Sequence, residues 1–67
     1  MIIQLNGKKH ELPKNIETVA DLLSSFELQD RIVIVEINKG IIQKDQYMLQ
    51  CLEDGDAVEL IHFVGGG

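Results

Sequence analysis

Apolar residues along this chain recur with two different periods, which separates predicted strands from a predicted helix. At the amino end, MIIQLNGKKHEL places apolar residues on both sides of Asn6-Gly7. Asn-Gly is typical of a tight hairpin turn because both residues tolerate positive φ. We predict a first strand at about 1–5 and a second at about 9–12, which Pro13 ends because it has no N–H to donate to a ladder.

The segment TVADLLSSFEL has the period of one amphipathic helix. Thr18 is expected to cap the first N–H groups, and Asp21 lies in the first turn, near the positive end of the helix dipole. Four apolar residues at the spacing i, i+3, i+4 and i+7 predict one apolar stripe: Val19, Leu22, Leu23 and Phe26.

The second half of the chain predicts four more extended segments. RIVIVEIN is rich in β-branched residues. Apolar residues occur at both its odd and its even positions, which face opposite sides of a sheet, so we predict a strand covered on both faces for part of its length. An edge strand at 41–42, a helical turn near 44–47 and an extended piece around 49–52 follow, and AVELIHFV is the last strand. The order predicts an α+β fold, in which one helix covers one face of a mixed four- to five-stranded sheet. The first and last strands are expected to pair in parallel at the centre.

Alternation along the last strand assigns its side chains to the two faces of the sheet. A charged Glu59 is disfavoured in a thin core, so its face should lie away from the helix, and Ile34 of the third strand should share that face. Exposed apolar clusters tend to mark partner surfaces. The predicted docking residues are Ile34, Ile61, Phe63 and Val64. The alternative is that they are scattered surface residues or are covered by segment 43–52.

Composition excludes several classes of protein. A chain of 67 residues forms one small domain, and a net charge of −5 disfavours binding to nucleic acid, which requires a basic patch. The single cysteine, Cys51, cannot form an internal disulfide, which favours the cytoplasm. No apolar run approaches the roughly 20 residues that span a bilayer, and no signal-peptide pattern begins the chain.

Few side chains offer catalytic or metal-binding chemistry. Cys51 could relay sulfur, although free cysteines more often act as small buried apolar residues. His10 and His62 are too few for a metal site, and His62 is expected to pack at the edge of the helix-side core. A turn explains the acidic residues of 54–56. We therefore predict no catalytic residue and no metal ligand.

The chain finishes on HFVGGG, a strand followed directly by three glycines. We predict a folded domain at 1–64 and a flexible glycine tail at 65–67. The strand order with this terminal run resembles ubiquitin and its prokaryotic β-grasp relatives. The segments LNGK, VEINKGIIQKDQY and LEDGDAVELIHFVGGG closely resemble the ThiS family of sulfur carriers in thiamine biosynthesis, across the whole chain. Many members of that family end in two glycines, whereas this chain ends in three.

The resemblance implies a carrier rather than an enzyme. In the ThiS family, an E1-like, ThiF-type adenylyltransferase uses Mg-ATP to adenylate the terminal carboxylate. A sulfur donor system with a cysteine desulfurase then converts the adenylate to a thiocarboxylate, and a ThiG-type thiazole synthase takes the sulfur. The resemblance makes Gly67 the modified residue, while Gly65 and Gly66 let the tail thread into the partners. No cofactor is expected on this chain itself, and neither nucleic acid nor a membrane is an expected partner.

Two other functions remain open at this point. The small subunit of molybdopterin synthase uses the same tail chemistry, although its members tend to be longer. A ubiquitin-like interaction module would need the apolar patch but no thiocarboxylate.

Overall fold

The structure is a computed structural model that describes residues 1–62. The predictions for Phe63, Val64 and the glycines at 65–67 lie outside the described residues. Within 1–62 the chain forms five strands, an α-helix and a short 3-10 helix. They are β1 (Ile2–Leu5), β2 (Lys8–Glu11), α1 (Val19–Ser25), β3 (Val33–Ile37), β4 (Gly40–Ile42), the 3-10 helix (Lys44–Gln46) and β5 (Ala57–His62).

The five strands form one mixed sheet in the order β2-β1-β5-β3-β4. β1 and β5 pair in parallel, with Gln4 opposite Ala57, and the other neighbouring strands pair antiparallel. The predicted α+β fold and its central parallel pair are confirmed. α1 packs on one face of this sheet, where nine buried apolar residues form the core: Ile3, Leu12, Ile16, Val19, Leu22, Leu23, Val35, Leu52 and Val58.

Two hairpin turns of the sheet use residues with positive φ. Asn6 and Gly7 join β1 to β2 with φ of 51° and 81°, as Asn-Gly predicts. Asn38 and Lys39 join β3 to β4 with φ of 51° and 73°. Lysine carries a Cβ that disfavours this left-handed region, so the second hairpin is locally strained where the first is not.

The start of α1 is fixed by a reciprocal capping box. The Asp21 N–H donates to Thr18 Oγ1 at 3.1 Å, and Asp21 Oδ2 accepts the backbone N–H groups of Glu17 at 3.0 Å and Thr18 at 3.1 Å. These N–H donors, that of Glu17 foremost, hold the pKa of the Asp21 carboxyl below its ordinary value. The predicted N-cap is confirmed.

The predicted apolar stripe of α1 is wrong at its last member. The helix ends at Ser25, and Phe26 is its C-cap residue, with 39% of its surface exposed. Glu27 then adopts a φ of 58°, and the Leu28 N–H donates to the Leu23 carbonyl at 2.8 Å. This is a Schellman ending, which turns the chain before Phe26 can join the core stripe.

Three smaller predictions also need correction. β3 is not covered on both faces, since Ile34 is exposed while Val35 is completely buried. The piece at 49–52 is extended only in part, since Leu49 belongs to a turn and Cys51 makes one isolated bridge, to Thr18. Cys51 is exposed rather than buried.

Candidate functional site

The face of the sheet opposite α1 carries exposed isoleucines on neighbouring strands. Ile34 of β3 lies directly opposite Ile61 of β5, and their side chains are 36% and 44% exposed. Ile41 of β4 lies opposite Glu36, which shares this face with Ile34, and it is 65% exposed. We call the surface formed by these three isoleucines the open face. The prediction that Ile34 and Ile61 are exposed together is confirmed, and segment 43–52 does not cover them.

The residues that alternate with the open face belong to the core. Val35 and Val58 are 0% and 1% exposed, although each is a sequence neighbour of an exposed residue. Because side chains alternate along a strand, burial of these valines beneath α1 fixes Ile34 and Ile61 on the other side. The packing of the core therefore fixes which side chains lie on the open face.

β5 is held along its length by contacts from the amino-terminal hairpin. The Asn6 N–H donates to the Val58 carbonyl at 2.9 Å, and the Leu60 N–H donates to Asn6 Oδ1 at 2.9 Å. One asparagine thus serves both the hairpin turn and the neighbouring strand. These bonds position the strand that leads to the carboxyl-terminal residues.

The acidic turn before β5 has a structural role. Asp56 is buried, and its carboxylate accepts from Asn38 Nδ2 at 3.1 Å and from the Glu53 N–H at 2.9 Å. Asp54 Oδ1 accepts the Ile2 N–H at 2.6 Å. The interpretation of 54–56 as a turn is confirmed, and both carboxylates accept hydrogen bonds from backbone or amide donors.

His62 lies beside a shallow cavity of about 220 Å³ on the helix side of the sheet. The cavity is lined by Leu5, Asn6, Phe26, Leu28, Leu60 and His62. The imidazole Nε2 is buried and has no hydrogen-bond partner within the described residues. His62 therefore packs at the edge of the helix-side core, as expected from the sequence.

Other kinds of site find little support in the part of the chain that the structure describes. In residues 1–62, no group of three or more His, Cys, Asp or Glu side chains is arranged to hold a metal ion. None of the described helices is long and apolar enough to cross a membrane. Among the described residues, the open face is the candidate functional site.

The comparisons with known proteins agree with this fold and with the terminal sequence. The family model described as the ThiS family matches residues 3–67. The chain belongs to the ThiS family. Its relative in Bacillus subtilis, a sulfur carrier protein ThiS, is 50% identical over 66 residues, which are 98% of this chain and 100% of the relative.

Two further comparisons extend this relationship. A crystal structure of a ThiS protein from Geobacter metallireducens superimposes with a TM-score of 0.82 at 33% identity, covering 100% of both chains. A thiazole synthase from Magnetococcus marinus is 34% identical over all 67 residues of this chain, which span only 20% of the synthase. Some thiazole synthases thus contain a ThiS-like segment within a much longer chain.

The structure also reveals an arrangement that the sequence reasoning missed. Glu36 of β3 lies directly opposite Glu59 of β5, and on each strand the glutamate is two residues from the isoleucine of the Ile34–Ile61 pair. Alternation along the strands places Glu59 with Ile61 and Glu36 with Ile34, on the face opposite α1. Only the register of the two strands, which the sequence alone does not give, brings them together.

Proposed function

We propose that this chain is a sulfur carrier in thiamine biosynthesis, in which the carboxylate of Gly67 is activated and then bears the sulfur as a thiocarboxylate. Membership of the ThiS family, with the match reaching residue 67, is the observation that carries the proposal. The thiazole synthase relatives that contain a segment like this chain support thiazole synthase as the acceptor of the sulfur. The chain acts as a co-substrate of its partners rather than as an enzyme.

The chemistry explains why glycine is needed at the end of the chain. A carboxylate is a poor electrophile because its leaving group would be oxide, whereas an acyl-adenylate has a good leaving group. A ThiF-type adenylyltransferase would supply that group from Mg-ATP, and a sulfur donor fed by a cysteine desulfurase would displace it. Gly65 and Gly66 let the backbone approach closely in a narrow channel, because neither residue carries a Cβ.

The open face supplies the docking surface in this proposal. Ile34 of β3 and Ile61 of β5 are exposed and lie opposite each other. β5 is the strand that ends at residue 62. Phe63 and Val64 continue the sequence toward the glycines and are proposed to extend the contact. Burial of such a patch favours association, while ordering a glycine segment opposes it, so each encounter should be short-lived. A short-lived complex suits a carrier that must pass between partners, which we place in the cytoplasm because its only cysteine is unpaired.

The decisive experiment blocks the terminal carboxylate while leaving the sequence intact. Deleting a glycine is a poor test, because removal of any one of the three leaves the same diglycine ending. A semisynthetic chain with a Gly67 amide should show no ATP–pyrophosphate exchange with the adenylyltransferase, whereas the same chain with a free carboxylate should. Equal exchange with both chains would refute activation at Gly67.

Two readouts separate thiamine biosynthesis from the related functions. Intact mass of the chain, after incubation with adenylyltransferase, desulfurase, cysteine and ATP, should show one oxygen replaced by sulfur. A strain lacking the chain should grow when thiazole is added, and molybdenum-cofactor precursors should not restore growth. Rescue by those precursors instead would assign the chain to molybdopterin synthesis.

A further inference from the structure

The Glu36–Glu59 pair places two like charges directly opposite each other on adjacent antiparallel strands. Directly opposed cross-strand residues have Cβ atoms about 4.5–5.5 Å apart, and like charges at that distance are destabilising. Glu36 is half-buried and Glu59 is exposed. The fold therefore carries an electrostatic cost at this position.

The surroundings of the pair do not relieve this repulsion. The ladder position beside Glu36 on β4 is Ile41, and the next open-face positions along β3 and β5 are Ile34 and Ile61. The two carboxylates thus sit at the edge of an apolar surface with no cation at the adjoining ladder positions. An apolar surface next to an uncompensated negative charge is complementary to an apolar surface that carries a positive charge.

We propose that the adenylyltransferase docks on the open face and inserts one arginine side chain between the carboxylates of Glu36 and Glu59. Arginine fits better than lysine because its planar guanidinium presents five donors, enough to bond two carboxylates at once, and is weakly hydrated. The apolar contacts of Ile34 and Ile61 exclude water from one side of this pair. This inference rests on the proposed function and adds the chemical identity of the partner group.

The pair has a property that distinguishes a partner-binding role from a structural one. A charge that stabilises the fold lowers the melting temperature when it is removed. Glu36 and Glu59 repel each other in the free chain, so removing either charge should raise the melting temperature while weakening the complex. The proposal therefore predicts that the same substitution raises the melting temperature and weakens the complex.

The experiment compares Glu36→Gln, Glu59→Gln and the double variant with Glu53→Gln, an exposed acid in the turn before β5. Each single variant should raise Tm by about 1–5 °C, since a cross-strand pair contributes a fraction of a kcal/mol in a domain of this size. Each should also raise the KM of the adenylyltransferase for the carrier by about tenfold with kcat unchanged. Glu53→Gln should change neither quantity.

The salt dependence of the complex, compared between the wild-type chain and the double variant, gives a second test. Added salt should weaken the complex of the wild-type chain and have less effect on the double variant, because the interaction that salt screens has been removed. An unchanged KM for the double variant would overturn the proposal. A raised KM with a lowered Tm would also overturn it, because the loss would then come from damage to the fold.

Failure of the proposed function would be recognised separately. If the wild-type chain with a free Gly67 carboxylate gives no ATP–pyrophosphate exchange, activation at that residue is refuted. Calorimetric titration of the adenylyltransferase with the chain then tests the acid pair directly, through the same comparison of variants. Absence of any binding would overturn both.

Discussion

Asn38 and Asp56 join two turns that are 18 residues apart in sequence, through a hydrogen bond of 3.1 Å from Asn38 Nδ2 to Asp56 Oδ1. Asn38 also accepts the Ala57 N–H through Oδ1 at 3.0 Å and donates its own N–H to the Ala57 carbonyl at 2.7 Å. The β3–β4 hairpin is therefore tied to the first residue of β5. This link sets the start of the strand whose other end leads to the proposed reactive terminus.

Loss of the Asp56 carboxylate should strongly destabilise the protein. Asp56→Ala leaves the donors of Asn38 and Glu53 without their acceptor, and we expect a loss of about 2–4 kcal/mol in the free energy of unfolding. Urea denaturation followed by circular dichroism measures this loss. Asp45→Ala, at an exposed position on the 3-10 helix, is the matched control and should stay within about 0.5 kcal/mol of wild type. Equal effects at the two positions would show that the turn contributes little.

Replacement of Glu27 by glycine should stabilise the protein. Glu27 has a φ of 58° at the end of α1, a conformation that glycine adopts without a Cβ clash. We expect Glu27→Gly to raise the free energy of unfolding by about 0.5–1 kcal/mol, measured by thermal and urea denaturation. Gln29→Gly, two residues on and without positive φ, should lower it instead. A loss of stability in Glu27→Gly would mean that the glutamate side chain makes a contact worth more than the strain.

Truncation of two adjacent residues of β3 should affect stability and partner binding to different degrees. Val35 is fully buried, so Val35→Ala should cost about 2–3 kcal/mol of stability through lost burial and a residual cavity. Ile34 is 36% exposed, so Ile34→Ala should cost less stability but raise the KM of the adenylyltransferase for the carrier. Denaturation and ATP–pyrophosphate exchange, run on both variants, separate the two effects. A KM unchanged in Ile34→Ala would exclude the open face from docking.

The capping carboxylate of Asp21 should make part of the stability depend on pH. Its pKa in the folded protein lies below the ordinary value of 3.8, because the backbone N–H groups of Glu17 and Thr18 stabilise the ionised form. Its contribution is therefore fully present above pH 3.8 and is lost as pH falls through the depressed pKa of the folded state. Asp21→Asn should be less stable than wild type at neutral pH, and the difference should shrink in acid. A difference that stays constant to low pH would assign the effect to the cap geometry alone.

Much of this architecture could be predicted because the local and long-range requirements agree. Alternation about Glu59 placed Ile61 on the face away from the helix, and the structure shows it exposed there, with Val58 buried on the other face. Asn6-Gly7 predicted a turn because residue type and backbone conformation match there. The prediction of docking at Ile34 and Ile61 stays a prediction, since exposure alone does not identify a partner.

The errors arise where the residue type does not reveal the backbone conformation. Phe26 continues the helical period, yet the chain leaves the helix because Glu27 adopts a positive φ that nothing about glutamate indicates. The Glu36–Glu59 pair was missed for a different reason, because strand register depends on the lengths of turns and on packing across the whole sheet.

The parallel pairing of β1 with β5 has a practical consequence for how this protein can be handled. Both strands run in the same direction, and the register of Gln4 with Ala57 sets Met1 and His62 about eight residues apart along the strands, or roughly 26 Å, at opposite ends of the sheet. A purification tag, dye or surface linker attached ahead of Met1 would leave the far pole open to solvent. The same attachment at Gly67 would block the carboxylate that is proposed to carry the sulfur.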